Sequence, residues 1–492
     1  MHQPLRSPGW ERAVVALLCL LAAVRVAAYA AVFPLFNNVD EYAHFDLVAK
    51  YARGHDPARG SDGYDAASAR IFVLYGSPEY GRAPDPATAS APLFTKPPDV
   101  VQRALERHTK HLGGPNHEAH APPVYYAVAG AWYRLGRALG LGEAAAVFWI
   151  RVLNAGVVAA LVALAWLYAR RLHPDRPELR LGVPLLVAFL PQDVFYGINS
   201  DVFSPLFVTA AALALFHWRT PGMPSPALGV ATGLSAALAF LVKLTNAGML
   251  AIVAAAAAFR ARRVPRSGAL LAVAAALLPV AAWMLRNLWL VGDLTGNGPK
   301  LALLGWGVRP VAEYLDHPIF QPARAWDFLT HLAAVYWRGE YVWHGVALRS
   351  TGFDAFYGLS TALLLPLGVL AGVLGSARER AGAALNAACV GLGVACLVAL
   401  SVWFAFGEYT WPSRSVPFFA AGRLIIGTLV PFACLYVGGL AFLTRPLARR
   451  SPRLATAATL LALVALVGVV TTHEARLHAP VRASAWGWHA IP

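Results

Sequence analysis

The chain has 492 residues, of which 58% are hydrophobic and only 14% charged. A water-soluble domain carries about 25% charged residues, and a disordered chain lacks apolar surface to bury, so both classes are excluded in favour of one membrane domain with many spans. The formal charge of +15 does not point to nucleic acid, because the arginines collect in short clusters between apolar runs, as the positive-inside rule produces.

A span takes about 20 mostly apolar residues. The first run, 13–33, follows a short N-terminal segment, 1–12, that carries Arg6 and Arg12. It is long for a signal-peptide core, and polar residues follow at once, so it reads as an uncleaved first helix. Directly after it comes Asn37-Asn38-Val39-Asp40-Glu41-Tyr42-Ala43-His44. Two adjacent carboxylates at a membrane surface repel each other, and one reason to place them there is a base beside a group that binds substrate or metal. The bland alternative is a helix N-cap with a solvated first turn. Asp40 and His44 share a face if the segment is helical.

The polar segment 56–115 is irregular and Pro/Gly-rich, and is a candidate for acceptor specificity. It leads to His117-Glu118-Ala119-His120, whose imidazoles and carboxylate could hold a divalent metal such as Mg or Mn, with Asp40 or Glu41 as a candidate further ligand; loop histidines with ordinary partners are the plainer reading. Pro122-Pro123-Val124-Tyr125-Tyr126 then opens a stretch to about Gly140 that is too polar to span, and an interfacial helix on the outer leaflet fits it.

Apolar runs near 146–169, 181–198, 202–217, 226–243, 246–260, 268–291, 356–375, 383–404, 418–443 and 454–472 complete about eleven transmembrane helices of an all-α polytopic protein. With residues 1–12 cytoplasmic, five basic clusters fall on one side: Arg170, Arg171, Arg176 and Arg180; Arg219; Arg260, Arg262, Arg263 and Arg266; Arg378 and Arg380; Arg445, Arg449, Arg450 and Arg453. The domain 13–472 then has two long outer loops, 34–145 and 292–355, and a short outer tail, 473–492. Cys19, Cys389, Cys396 and Cys434 all lie inside apolar runs and read as small core residues.

The remaining polar points fall on the outer side: Asn199-Ser200-Asp201 in one turn, Lys243-Leu244-Thr245-Asn246 in the next, then Arg286-Asn287, Gly292-Asp293 and Gly422-Arg423. A turn role suffices for Asp201, and snorkelling for Lys243. In the late outer loop, Trp337 and Trp343 flank Arg338 and Glu340; such aromatics suit sugar stacking or an interfacial belt. Arg414 and Arg423 each suit a phosphate through the planar guanidinium. A channel or pump places polar residues along a path through the membrane, whereas these gather at one surface under long loops. That layout suits an enzyme working at the outer leaflet. The chain contains no GxxxxGK[ST] phosphate loop.

Together these residues resemble the GT-C class of membrane glycosyltransferases, which includes protein O-mannosyltransferases, lipid A aminoarabinose transferases and bacterial relatives. The resemblance rests on Asp40-Glu41 after the first span, His-x-Pro-Pro-x-Tyr-Tyr at 120–126, Asn-x-Asp at 199–201, Lys-Leu-Thr at 243–245, Arg286 to Asp293, and Gly422-Arg423. It implies sugar transfer from a polyprenyl-phosphate donor to a cell-envelope glycan, lipid or protein acceptor, at the outer face of a bacterial plasma membrane. Asp40 inherits the role of general base and Glu41 that of an assisting carboxylate. Lys243, Arg286, Arg423 and Arg414 are candidates for the donor phosphate. His44, His120, Tyr125, Asn199, Asp201, Trp337 and Trp343 are candidates for the acceptor or sugar, and His117, Glu118 and His120 for a metal. Two other classes share the composition: a flippase or transporter of a lipid-linked glycan, expected to show intramembrane charge pairs, and a non-catalytic assembly factor on the same fold, expected to tolerate Asp40→Asn.

Overall fold

The computed structural model describes residues 9–54, 63–80, 91–109, 114–190, 193–219, 225–260, 266–408 and 412–491. Within the polar segment 56–115, residues 56–62, 81–90 and 110–113 lie outside them, as do the basic positions Arg262 and Arg263. Eighteen helices follow in order among the described residues: α1 Gly9–Val32, α2 Glu41–Ala52, α3 Ala66–Tyr75, α4 Pro98–Thr109, α5 Val124–Ala138, α6 Glu143–Leu172, α7 Pro177–Phe189, α8 Ser204–Arg219, α9 Pro226–Val242, α10 Ala247–Arg260, α11 Arg266–Val291, α12 Gly298–Leu304, α13 Pro322–Arg338, α14 Thr351–Val373, α15 Ala377–Trp403, α16 Leu429–Leu443, α17 Arg445–Ala448 and α18 Pro452–His478. The only strands among them are two short antiparallel ladders, β1 (Gly307–Val308) with β4 (Phe404–Ala405) and β2 (Val342–Trp343) with β3 (Val346–Ala347).

Among the described residues, eight helices are long and apolar enough to cross a membrane. The other three expected spans are helical but short: α7 has 13 residues, α9 has 17 and α10 has 14. Local chemistry sets their ends. Ser225 accepts from the Ala227 N–H and Pro226 occupies the first turn of α9, a pre-organised start. α15 opens with a capping box between Ser376 and Glu379. α7 stops before Leu190, the residue preceding a proline, where helical backbone is disfavoured.

Residues 193–199 form no α-helix, only a 3-10 turn at Asp193–Phe195, while still inside the bundle. Backbone at that depth must find partners within the protein, and buried polar side chains provide them. Asn154 on α6 donates to the carbonyls of Phe195 and Gly197 at 3.1 and 2.8 Å. Arg25 on α1 donates to Ala188 and Leu190, and Asn38 donates to Asp193. Arg25 also pairs with Glu474 on α18 at 2.7 Å, which builds α1 into the bundle.

Two ends of the bundle are distinguished by their ion pairs. At one, Glu11 of α1 meets Arg180, Glu379 of α15 meets Arg176, and Glu178 of α7 meets Thr456 of α18. This end carries the arginine clusters at 170–180, 378–380 and 445–453. At the other end lie the turns after α1 and α9, the turn before α8 and the turn before α16, joined by the ion pairs described next.

Candidate active site

The cleft is built on α2. Asp40 occupies its N-cap position with φ 59°, in the left-handed region, which Asp tolerates better than most residues. Its carboxylate makes no capping bond. Instead, it meets His117 Nε2 at 3.1 Å and lies 3.6 Å from Arg423. The adjacent Glu41 points the other way. It is fully buried, its two oxygens accept from Arg151 at 2.7 and 2.8 Å, and the Ile198 N–H donates to it at 3.0 Å. Arg151 also donates to the carbonyls of Ala30, Phe33 and Pro34. Glu41 therefore anchors the start of α2 and has no free oxygen for substrate.

The loop carrying His117 is clamped to α2 by Asn116, which donates to the Ala43 carbonyl and to Asp46 and accepts from the Glu118 N–H. Glu118 pairs with Lys300 Nζ at 2.5 Å. Lys300 stands on α12, whose first N–H groups donate to the Asp293 carboxylate. Asp293 thus supports a cation of the cleft from a distance. Gly296, with φ 70°, lets this second loop close on the first: a Cβ there would stand 2.9 Å from the His120 carbonyl and from Asn287.

A second charge group borders Asp40. Asp201 is wholly buried, and its oxygens face Lys243 at 3.1 Å and Arg423 at 3.3 Å. Asn199 holds it there, accepting from the Asp201 N–H at 2.8 Å. Arg423 reaches Glu340 as well, at 3.2 Å. Asp40 is 29% exposed and Arg423 is 15% exposed, so this is where the cleft opens.

Burial pushes the Asp40 carboxyl up, but the His117 hydrogen bond and the Arg423 and Lys300 charges outweigh it and hold the group far below the usual carboxylate range. Burial acts on Glu118 in the same sense and Lys300 outweighs it likewise. His44 is pushed down to about 4 by burial, so it is a neutral ring, hydrogen-bonded through Nδ1 to Tyr126 at 2.7 Å. Asp40, His117 and Glu118 bring their ligand atoms within 4.8 Å of one another, a group that could hold a metal ion. Asp40 takes the place expected for His120, which is buried beneath the loop.

The structure therefore gathers Asp40, His117, Glu118, Asp201, Lys243 and Arg423, with Asn199 and His44 supporting them. It places five others elsewhere. Arg414 is exposed and pairs with Glu408. Arg286 lies half-buried beside Asn287. Trp337 is buried in helix packing, stacked on Tyr357 and donating to Thr361. Trp343 lies in the β2–β3 hairpin with its ring 5.0 Å from His344. Tyr125 is buried between Tyr126 and Phe203. Lys300 and Glu340 were not singled out by sequence reasoning. A signal existed for Lys300: the chain has five lysines against 36 arginines, so each lysine stands out.

An apolar cavity of about 320 Å³ lies behind this cluster, between α13, α14 and α15. Ile425 and Thr428, from the same turn as Arg423, form part of its wall, with Trp337, Ala362 and Leu365. Gly422 makes the close approach possible, since a Cβ there would stand 2.5 Å from Tyr336.

A family model described as "Predicted membrane protein (DUF2142)" matches residues 24–300. No curated protein matches the chain. Among solved structures the chain is similar to ArnT from Cupriavidus metallidurans bound to undecaprenyl phosphate, at 13% identity over 99% of this chain and 75% of that one, with a TM-score of 0.45. It is also similar to the oligosaccharyltransferase AglB from Archaeoglobus fulgidus in complex with an inhibitory peptide and a dolichol-phosphate, at 12% identity over 95% of this chain and 56% of that one, TM-score 0.44.

Proposed function

The chain belongs to that family of predicted membrane proteins, and we propose that it is a glycosyltransferase moving a sugar from a polyprenyl-phosphate donor to a cell-envelope glycan, lipid or protein acceptor at the outer leaflet. The observation that carries this reading is the 422–428 turn, which has Arg423 in a cluster of charges on one side and an apolar cavity on the other. A phosphate on a long apolar chain matches both.

In the reaction, the acceptor oxygen attacks the sugar carbon that bears the phosphate, and the electron pair of the broken bond leaves with the phosphate. Asp40 accepts the acceptor proton. Arg423 and Lys243 face the charge that develops on the leaving group, the kind of pre-set stabilisation that lowers a barrier most. Asp40 is a weak base while Arg423 lies 3.6 Å from it. A donor phosphate that draws the guanidinium away strengthens that base at the moment it is needed. Glu41 takes no part beyond anchoring α2. The donor set of Asp40, His117 and Glu118, two carboxylates and an imidazole, fits Mg or Mn; an ion held by these residues would supply Lewis-acid charge to the cleft.

The flippase reading expects ionisable groups along a path through the bundle. The two buried pairs inside it, Arg25–Glu474 and Arg151–Glu41, are saturated by carbonyl and hydroxyl partners, as fixed clamps are. The experiment pairs purified protein in lipid with a panel of radiolabelled polyprenyl-phosphate sugars, with and without membrane acceptors, for wild type and Asp40→Asn. Transfer or slow hydrolysis lost in the variant supports the enzyme. Donor binding with equal, absent turnover in both favours the assembly factor.

A further inference from the structure

Arg423 faces three carboxylates at once: Glu340 at 3.2 Å, Asp201 at 3.3 Å and Asp40 at 3.6 Å. With Glu118 and Asp193, which also acts on Arg423, five carboxylates stand around three cations, Lys243, Lys300 and Arg423. A phosphate brought to Arg423 adds to a negative excess in a buried site. Like charges at close range raise the proton affinity of the least compensated acid.

That acid is Asp193. It is 2% exposed, and among the described residues its Oδ1 has no hydrogen-bond partner. The backbone forces Glu340 beside it. Gly339 precedes Glu340 with φ 84°, and a Cβ on Gly339 would stand 2.5 Å from Asp193 Oδ1. Asp193 is faced by Glu340, by Arg423, by Tyr80 from the turn 78–80 and by Tyr341. Glu340 is faced by Arg423, by Arg338 at the end of α13, by Asp201 and by Tyr80. Arg338 is already engaged with Asp354 at 2.9 Å.

We propose that phosphate binding at Arg423 is coupled to the uptake of one proton from solvent by the Asp193–Glu340 carboxyl pair. Glu340 then releases Arg423 to the phosphate, and the two acids act as positioning residues that touch neither sugar nor acceptor. This rests on the reading of Arg423 as the donor-phosphate residue. Burial, with the Glu340 charge, raises Asp193 to about 6, and burial raises Glu340, so the free pair is poised near neutrality.

The test measures binding of the methyl diester of undecaprenyl phosphate to the full chain in lipid nanodiscs. A phosphodiester lacks the second phosphate ionisation near pH 6, so its own titration does not intrude. Calorimetry in two buffers of different ionisation enthalpy counts protons. Wild type is expected to take up about one proton per ligand at pH 7. Its affinity falls with rising pH, by up to about tenfold per unit, until the pair is deprotonated in the complex as well. Asp193→Asn mimics the protonated acid: it keeps the affinity seen at low pH, takes up no proton and shows a flat pH profile. Glu340→Gln is expected to behave alike and carries the test if Asp193→Asn does not fold. Wild-type binding without proton uptake overturns the proposal, as does a pH slope that survives in both variants. Failure of wild type to bind the diester at any pH overturns the phosphate reading of Arg423 and this inference with it.

Discussion

Glu41→Gln separates an anchoring carboxylate from a catalytic one at a position whose neighbour is the proposed base. Glu41 and Arg151 are both 0% exposed and share two bonds of 2.7 and 2.8 Å. Removing one partner of a buried pair costs about 3–5 kcal/mol, because the other is left as an uncompensated charge. Arg151 keeps its three carbonyl acceptors in Glu41→Gln, which places that variant near the low end, about 3 kcal/mol. Arg151→Met removes those bonds too and leaves the carboxylate with the Ile198 N–H, which places it near about 5 kcal/mol. The double variant leaves no buried charge behind, so it should be less destabilised than the sum by about 2–3 kcal/mol. Reversible unfolding of the three variants in mixed micelles, followed by Trp fluorescence, measures the cycle. Additive effects would refute the pairing. A Glu41→Gln protein that unfolds like wild type yet transfers no sugar would refute the anchoring role and return Glu41 to the chemistry.

Asp40→Asn should lower sugar transfer by about 10²–10⁴-fold, the range of a lost general base, with unfolding unchanged; an active variant would remove Asp40 from the mechanism. Arg423→Gln should weaken phosphate binding by roughly tenfold or more, one charged hydrogen bond's worth, read as a dissociation constant for undecaprenyl phosphate. Ala362→Phe narrows the apolar cavity and should raise the KM for a long polyprenyl donor more than for a two-isoprene analogue; equal effects on both would place the tail elsewhere.

Much of the architecture was legible locally. Each expected apolar run contains a helix, though the one at 181–198 ends at Phe189, and the arginine clusters at 170–180, 378–380 and 445–453 share the end of the bundle away from the cleft. The break at Leu190 and the stretch 193–199 were not legible, because their backbone is satisfied by Asn154, Arg25 and Asn38 from three distant segments. That Asp40 and Glu41 diverge was equally hidden: successive residues at a helix start point about 100° apart, and only packing decides which side is the cleft. Trp337 looked like a sugar platform beside Arg338, yet the amphipathic turn of α13 carries it into the helix interface.

Apolar content and run length by themselves determined a polytopic helical membrane protein, since a bilayer admits few other ways to satisfy backbone. The density of polar residues just beyond the spans marked one face, and Asp40 on it, for function. Only the tertiary structure decided that Arg423 meets Asp201 across 222 positions of chain, that Lys300 closes on Glu118, and that Glu340 and Asp193 stand behind them. Hydrophobic periodicity is a property of neighbours in sequence, whereas the partner of a charge is chosen by which helix ends the packed bundle brings together.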